Sequence, residues 1–239
     1  MALSLSISKL HRQARENVWF HYFAIFNRVA LAAGFIPSGM MKILGERFTA
    51  LSSEHPLGFY FDGLYHTGYY YTFIGVMQVL AALLLLIPRT ALLGALIYFP
   101  IILNIVVLTF SVRFDGSLFT SPLMLMANTY LLFWNYDKLK YILSTKKLDV
   151  RFSSIFPKAP KKKFPTLAVV AVAGVTLGTV FFTTNMYDIM PKNTMAACKK
   201  QFKQGANTPA AIAFCECIHT NGNPLNDCMA QYWKNTDEQ

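Results

Sequence analysis

The chain has 239 residues, of which 54% are hydrophobic and only 14% are charged. Soluble domains carry about 25% charged residues, so the composition excludes an ordinary soluble domain and indicates an integral membrane protein. The net charge of +10 does not indicate nucleic-acid binding, because the excess lies in residues 137–163, which hold nine Lys and Arg against two acids. A basic loop of this kind is expected to contact anionic lipid headgroups.

Five apolar blocks are long enough to cross a bilayer, since about 20 residues span its hydrocarbon core of roughly 30 Å. They are residues 18–43, 68–87, 91–111, 120–136 and 164–184, and the short fourth block is expected to extend at one end. Lys and Arg in short loops remain in the cytoplasm. The basic residues before the first block and in the fourth loop therefore predict a cytoplasmic N-terminus and a periplasmic C-terminus in a bacterial inner membrane.

The predicted fold class is an all-α integral membrane protein. Residues 1–143 are expected to form an antiparallel four-helix transmembrane bundle. A basic cytoplasmic linker (144–163), a fifth transmembrane helix (164–184) and a periplasmic, cysteine-rich helical hairpin (185–239) are expected to follow.

Two pairs of small residues, each four apart, are typical of close helix contacts: Gly34 with Ser38, and Gly174 with Gly178. The second pair is expected to dock the fifth helix on its own bundle, with dimerisation as the alternative.

Each of the first four apolar blocks carries a polar side chain at membrane depth. These residues are Arg28, Gln78, Asn104 and Asn128. At 1.5 Å per residue they lie about 12–20 Å from the cytoplasmic face, so a polar layer is predicted. Such groups are costly in a bilayer and are functional candidates by default. The layer is interpreted either as a structural network around Arg28 or as a central binding site for a small molecule or proton.

A second set of polar residues lies near the periplasmic ends of the helices: Lys42, Glu46, His66, Arg113 and Asp115. Lys42 and Glu46 are four apart, so they are expected to pair and extend towards the interface. The alternative is that all five line an outer vestibule. A lone interfacial histidine such as His66 is more typical of a structural role than of a catalytic one.

Four cysteines lie in the predicted periplasmic tail: Cys198, Cys215, Cys217 and Cys228. In an oxidising compartment they are expected to form two disulfides. Pro209 opens a predicted helix that ends at His219, and Cys215 and Cys217 lie about 200° apart on it. The two therefore cannot easily bond each other, and each is expected to reach Cys198 or Cys228. No metal site is predicted, because four free thiolates are disfavoured there.

Several segments of the first 143 residues carry a resemblance to a known family. They are Arg28, residues 31–35 (LAAGF), 38–42 (SGMMK), 75–79 (GVMQV) and 83–89 (LLLLIPR). Through them, residues 17–143 resemble the DoxX family of small bacterial membrane proteins. The resemblance implies a four-helix membrane bundle and, in some members, association with quinone-linked or sulfur-linked redox systems. The fifth helix and the cysteine tail are additions to that pattern.

Three functions remain open at this stage. The first is an accessory or scaffold subunit of an envelope or respiratory complex, whose protein partners bind the fifth helix and the C-terminal module. The second is a quinone-linked oxidoreductase component with its ligand near Arg28. The third is a carrier of a small solute or proton, favoured by Pro37 and Pro100 within the apolar blocks. No catalytic triad or phosphate loop occurs in the sequence, so enzymatic activity is left undecided, and a quinone is the one cofactor considered.

Overall fold

A computed structural model of the chain describes residue 11 and residues 14–143, 162–202 and 209–237. The regular structure of these residues is α-helical, without strands. The described helices are α1 (Val18–Ile43), α2 (Pro56–Tyr65), α3 (Tyr69–Leu86), α4 (Ala91–Ser111), α5 (Thr120–Trp134), α6 (Tyr136–Leu143), α7 (Thr166–Asn185), α8 (Met195–Lys200), α9 (Pro209–His219) and α10 (Leu225–Asp237). Most of the predicted basic linker, residues 144–161, lies outside the described residues.

Four of these helices, α1, α3, α4 and α7, are long and apolar enough to cross a membrane. The protein is therefore a multi-pass membrane protein. Helix α5 has 15 residues, which at 1.5 Å per residue is about 22 Å. The expected extension is not found, because the chain turns at Asn135 and starts a separate helix at Tyr136.

Helices α1, α3, α4 and α5 pack around one apolar core. Short turns join α3 to α4 and α4 to α5, so these neighbours run antiparallel. The core residues are Leu31, Phe35, Ala81, Ala82, Leu85, Ala95, Tyr98, Ile102 and Leu131. At its centre the rings of Phe35 and Tyr98 stack with centroids 3.6 Å apart. The predicted four-helix bundle is thus present as a packed unit.

Glycines fix where the helices approach most closely. A Cβ on Gly75 would lie 2.6 Å from the carbonyl oxygen of Gly39, so α1 and α3 touch backbone to backbone there. A Cβ on Gly94 would lie 2.6 Å from the amide nitrogen of Leu85, which brings α3 and α4 together beside their connecting turn. The predicted contact at Gly34 is looser, because a Cβ there meets only the flexible end of Met124.

Helix α7 has few contacts with this bundle: it approaches α5, and of its own residues only Thr183 is buried. A Cβ added to Gly174 or Gly178 would meet nothing within 4 Å, so the expected docking of this pair on the bundle is not found. The two ends of the helix are nevertheless attached. Trp19 Nε1 donates to the carbonyl of Lys162 (3.3 Å) just before α7, and the Tyr187 hydroxyl donates to the carbonyl of Phe110 (3.2 Å) just after it.

Residues 186–202 and 209–237, called the cap below, form a small helical unit around α8, α9 and α10. Two cysteine pairs lie at disulfide distance, Cys198–Cys215 with sulfurs 2.05 Å apart and Cys217–Cys228 with sulfurs 2.00 Å apart. As predicted, Cys215 and Cys217 face different partners. Phe214 and Ile218 fill the space between the helices, so the cap has a small core of its own.

Candidate functional site

A cavity of about 670 Å³ lies between α3 and α4, at the end of the bundle where α1 stops. Gly94 holds the two helices together near their turn, and the cavity is lined by the other half of each helix, from Tyr70 to Gln78 on α3 and from Pro100 to Thr109 on α4. Helix α2 and residues 114–117 close the end. This volume falls within the roughly 300–1,000 Å³ typical of small-molecule sites.

Most of the lining is apolar or aromatic. The apolar and aromatic residues include Phe48, Leu57, Phe61, Leu64, Ile74, Ile101, Ile105, Leu108 and Phe114. The polar lining residues that α1 and α3 contribute deep in the bundle are Ser38, Lys42 and Gln78. The cavity therefore has an apolar body and one polar end.

Lys42 is the centre of the polar end. Its side chain is buried, with the residue 3% exposed. Nζ donates to the carbonyl oxygen of Ser38 and to Ser38 Oγ, both at 3.0 Å, and lies 4.0 Å from the ring centroid of Phe48. A helical side chain leans towards the N-terminus of its helix, which is why Lys42 reaches back one turn.

Gln78 completes this polar end from the neighbouring helix. It is 2% exposed, and its Oε1 accepts a 3.5 Å hydrogen bond from Ser38 Oγ. Among the described residues its amide nitrogen has no hydrogen-bond partner. Lys42 and Gln78 both therefore present donors to the cavity. The close contact of Gly75 with Gly39 places Gln78 beside α1, because both helices approach one another there.

The cavity has an open side, marked by five exposed lining residues: Tyr60, Tyr70, Pro100, Asn104 and Gly116. Partial burial, with the neighbouring Tyr70, raises the pKa of Tyr60, so its hydroxyl stays protonated. Four of the five come from α2, α3 and α4, so most of the opening lies at the side of the bundle. In a membrane such an opening faces the lipid.

The expected Lys42–Glu46 pair is not formed. Helix α1 ends at Ile43, and Gly45 has a positive φ of 72°, so the i, i+4 spacing no longer describes one helix face. Glu46 is exposed, and its carbonyl oxygen accepts the Tyr71 hydroxyl at 2.9 Å. Of the predicted vestibule residues, only Lys42 lines the cavity.

Arg28 does not join the predicted polar layer. Its Nε and Nη2 donate to the carbonyl oxygens of Leu85 and Leu86, the last two residues of α3. Helix C-termini leave carbonyls without intrahelical partners and carry partial negative charge, so a guanidinium is well matched to this position. Arg28 thus makes a helix-end contact, and the ligand site around it stays a prediction.

The two asparagines of that layer are also separated. Asn128 is fully buried and donates from Nδ2 to the carbonyl of Ala95 at 3.1 Å, which links α5 to α4. Asn104 lines the cavity on its exposed side. Gln78 and Asn104 thus share the cavity, while Arg28 and Asn128 have structural contacts elsewhere.

Arg113 and Asp115 attach the cap to the bundle. Arg113 Nη1 donates to the carbonyl of Ile189 (3.0 Å), and the guanidinium lies over the Tyr187 ring. Asp115 pairs with Lys192 at 2.6 Å. His66 lies away from this junction and is exposed, with Nδ1 donating to the carbonyl of Asp62.

No site role was predicted for His55, which lies under the cap. It is 1% exposed, and its Nδ1 accepts from the amide of Leu57 at the start of α2. The His219 ring centroid lies 5.9 Å away. Burial, and next the charge of a protonated His219, lower the pKa of His55 to about 4. The signal in the sequence was the His-Pro pair that begins α2.

Within the described residues, no group of three or more His, Cys, Asp or Glu side chains is arranged to hold a metal ion. No family model matches the chain, and no solved structure matches it.

One curated relative is informative. The uncharacterized protein YwoB of Bacillus subtilis (strain 168) is 36% identical over 123 residues, which cover 48% of this chain and 77% of YwoB. The matched part is thus about half of this chain and most of the relative. The chain belongs to the same protein family as YwoB.

Proposed function

We propose that this protein binds a small lipophilic molecule within the bilayer, in the cavity between α3 and α4. The observation that carries the proposal is the 670 Å³ cavity, apolar along its body and closed at one end by the donors of Lys42 and Gln78. The resemblance to the DoxX family favours a quinone, whose carbonyl oxygen would accept from these donors. In this role the protein serves as a quinone-linked component of a membrane redox system.

Each lining group has a distinct task in this function. Ser38 and Phe48 hold the Lys42 ammonium in place, and Gln78 adds a second donor from α3. Ile101 and Leu108 contact the apolar part of the molecule. The side opening between α3 and α4 admits it directly from the lipid phase, where lipophilic molecules concentrate.

The test is binding of a short-chain ubiquinone to the protein in lipid nanodiscs. Ile101→Trp fills the cavity and should lower affinity at least tenfold. Val107→Trp is the matched control, because Val107 lies on the same helix, is 61% exposed and does not line the cavity. Equal binding by wild type and both variants would refute a ligand site in this cavity.

The proposal places the protein in a bacterial inner membrane with five crossings, α5 included. The N-terminus and residues 137–163 are cytoplasmic, and the cap is periplasmic. Contacts at one end of the bundle support this arrangement. His11 Nε2 and Arg15 Nη1 both donate to the carbonyl of Trp134, and Asn17 Nδ2 donates to the carbonyl of Lys163, so three basic segments meet there.

A second candidate is an accessory subunit that docks a membrane partner through α7. The observation that favours it is the open space around Gly174 and Gly178. Affinity purification in a mild detergent, followed by mass spectrometry, tests this candidate. Gly174→Leu should release a partner bound at this helix, whereas Val107→Leu, on the bundle, should not. A partner retained by both variants, or found with neither, would count against docking at α7.

A further inference from the structure

Lys42 is the only charged residue that lines the cavity, among the residues that the structure describes. No Asp or Glu oxygen of the described residues lies within 4 Å of its Nζ. The ammonium is stabilised by two oxygens of Ser38 and by the face of Phe48. These contacts supply partial charges only. A buried cation therefore faces an apolar space without a counter-charge.

An unpaired buried charge is costly, and a partner of opposite sign removes much of that cost. Since the described residues place no acid beside Lys42, an occupant of the cavity can supply this partner. The adjacent amide nitrogen of Gln78, which has no partner among the described residues, offers a second donor to the same head. A carboxylate has two acceptor oxygens, so it can accept from Lys42 and Gln78 together.

Resting on the proposed binding of a lipophilic molecule in this cavity, we propose that the cavity prefers lipophilic carboxylic acids to neutral occupants such as a quinone, with the ionised head against Lys42 and the acyl chain along the apolar lining. A single lysine matches a head with one negative charge. Phosphate recognition typically draws on arginine clusters, and the lining has no arginine. The opening beside Tyr70 faces the lipid, into which such acids partition. An acid can therefore enter the cavity directly from the bilayer, without crossing water.

The test compares radiolabelled dodecanoic acid with its methyl ester, on wild-type protein in neutral phosphatidylcholine nanodiscs at pH 8, with empty nanodiscs subtracted. The two probes share one chain and differ in the charge of the head. We expect the acid to bind at least tenfold more tightly. Lys42→Met should abolish this preference and retain ester binding, whereas Lys200→Met, an exposed cap lysine, should leave the preference unchanged.

Different failures are distinguishable. An ester that binds as tightly as the acid, with Ile101→Trp weakening both, overturns the acid selectivity and leaves the cavity as a ligand site. If Ile101→Trp weakens neither probe, the proposed function fails, and this inference fails with it. A preference that survives Lys42→Met also overturns the inference.

If Lys42→Met does not fold, a pH series on the wild-type protein tests the role of the ionised head instead. The acid preference should fall as the carboxylate protonates, while ester binding stays constant. An acid affinity that does not change through that titration would overturn the role of the ionised head.

Discussion

Lys42 and Arg28 lie on the same helix, and their charges are stabilised in different ways. Arg28 reaches the carbonyl end of α3, where two peptide oxygens accept its hydrogen bonds. Lys42 folds back on its own helix and faces an empty apolar space. Neither side chain has an acidic partner among the described residues. Only Lys42 lines the cavity, which is why Lys42 rather than Arg28 is the stronger functional candidate.

Arg28→Ala should therefore lower stability without affecting the cavity. It leaves the carbonyls of Leu85 and Leu86 without these partners, at a cost of about 1–3 kcal/mol. Thermal unfolding in detergent should show a lower Tm, and Arg28→Lys should recover part of the loss, since lysine lacks the planar fork. If Arg28→Ala instead lowered the affinity for a quinone or an acid without changing the Tm, Arg28 would belong to the ligand site.

His55 makes the attachment of α2 and the cap dependent on pH. Its pKa is lowered to about 4 in the folded protein, against about 6.5 when unfolded. Between these values the unfolded chain binds the additional proton, so stability is full above pH 6.5 and declines as pH falls towards 4. Wild-type Tm should drop across this window.

The control for this prediction is His55→Asn, which keeps an oxygen acceptor for the amide of Leu57 but does not titrate. The Tm of the variant should fall less steeply as the pH is lowered. Subtracting one Tm profile from the other removes the contribution of acids elsewhere in the protein, which titrate in both. Parallel profiles for the two proteins would exclude His55 as the titrating group.

At the level of helices, the contact between Gly39 and Gly75 sets the distance between α1 and α3 and so the position of Lys42. Gly75→Ala would place a methyl group 2.6 Å from the Gly39 carbonyl and 2.8 Å from Lys42 Cβ. Overpacking of this kind costs about 1–3 kcal/mol. We expect a lower Tm and weaker ligand binding, measured together.

Gly174→Ala is the matched substitution, because the same methyl group on α7 meets nothing within 4 Å. It should leave the Tm of the isolated protein unchanged. Equal losses for the two variants would mean that the contact with Gly39 does not determine the effect, since alanine itself favours a helix over glycine.

Element boundaries follow from local sequence, and the structure confirms several of them. The predicted helix at residues 91–111 and the one ending at His219 have the observed bounds, because apolar runs and turn residues mark their ends. The separation of Cys215 from Cys217 also follows from helix geometry alone. The end of α5 was not predictable in this way, because a second helix begins directly at Tyr136 and only Asn135 separates the two.

The candidate site was only partly predictable, since its partners come from different helices. Lys42, Gln78 and Asn104 stood out as polar residues in apolar blocks. Their grouping without Arg28 depends on how each helix is rotated about its own axis. The sequence does not reveal this rotation, because the helices are apolar on nearly all sides. The cavity itself lies at the opposite end of α3 and α4 from their close contact at Gly94, and the composition of the two helices does not reveal it.

At the scale of the whole molecule, the orientation in the membrane can be measured directly. A cysteine introduced by Lys163→Cys should react with a membrane-impermeant maleimide only after the inner membrane is opened. A cysteine introduced by Lys200→Cys, in the cap, should react in intact spheroplasts. The reverse pattern, or labelling of both positions in intact spheroplasts, would overturn the proposed topology.

Hydrogen bonds attach the residues on either side of helix α7 to the bundle, and Gly174 and Gly178 near its middle contact no neighbouring helix. Its 20 residues form a rod of about 30 Å. A rod of fixed length between two anchors responds to a thicker bilayer by standing upright and to a thinner one by leaning over. Either movement pulls on Tyr187, and through it on the cap above the cavity. We therefore expect a change in bilayer thickness to shift the position of the cap at this end of the cavity.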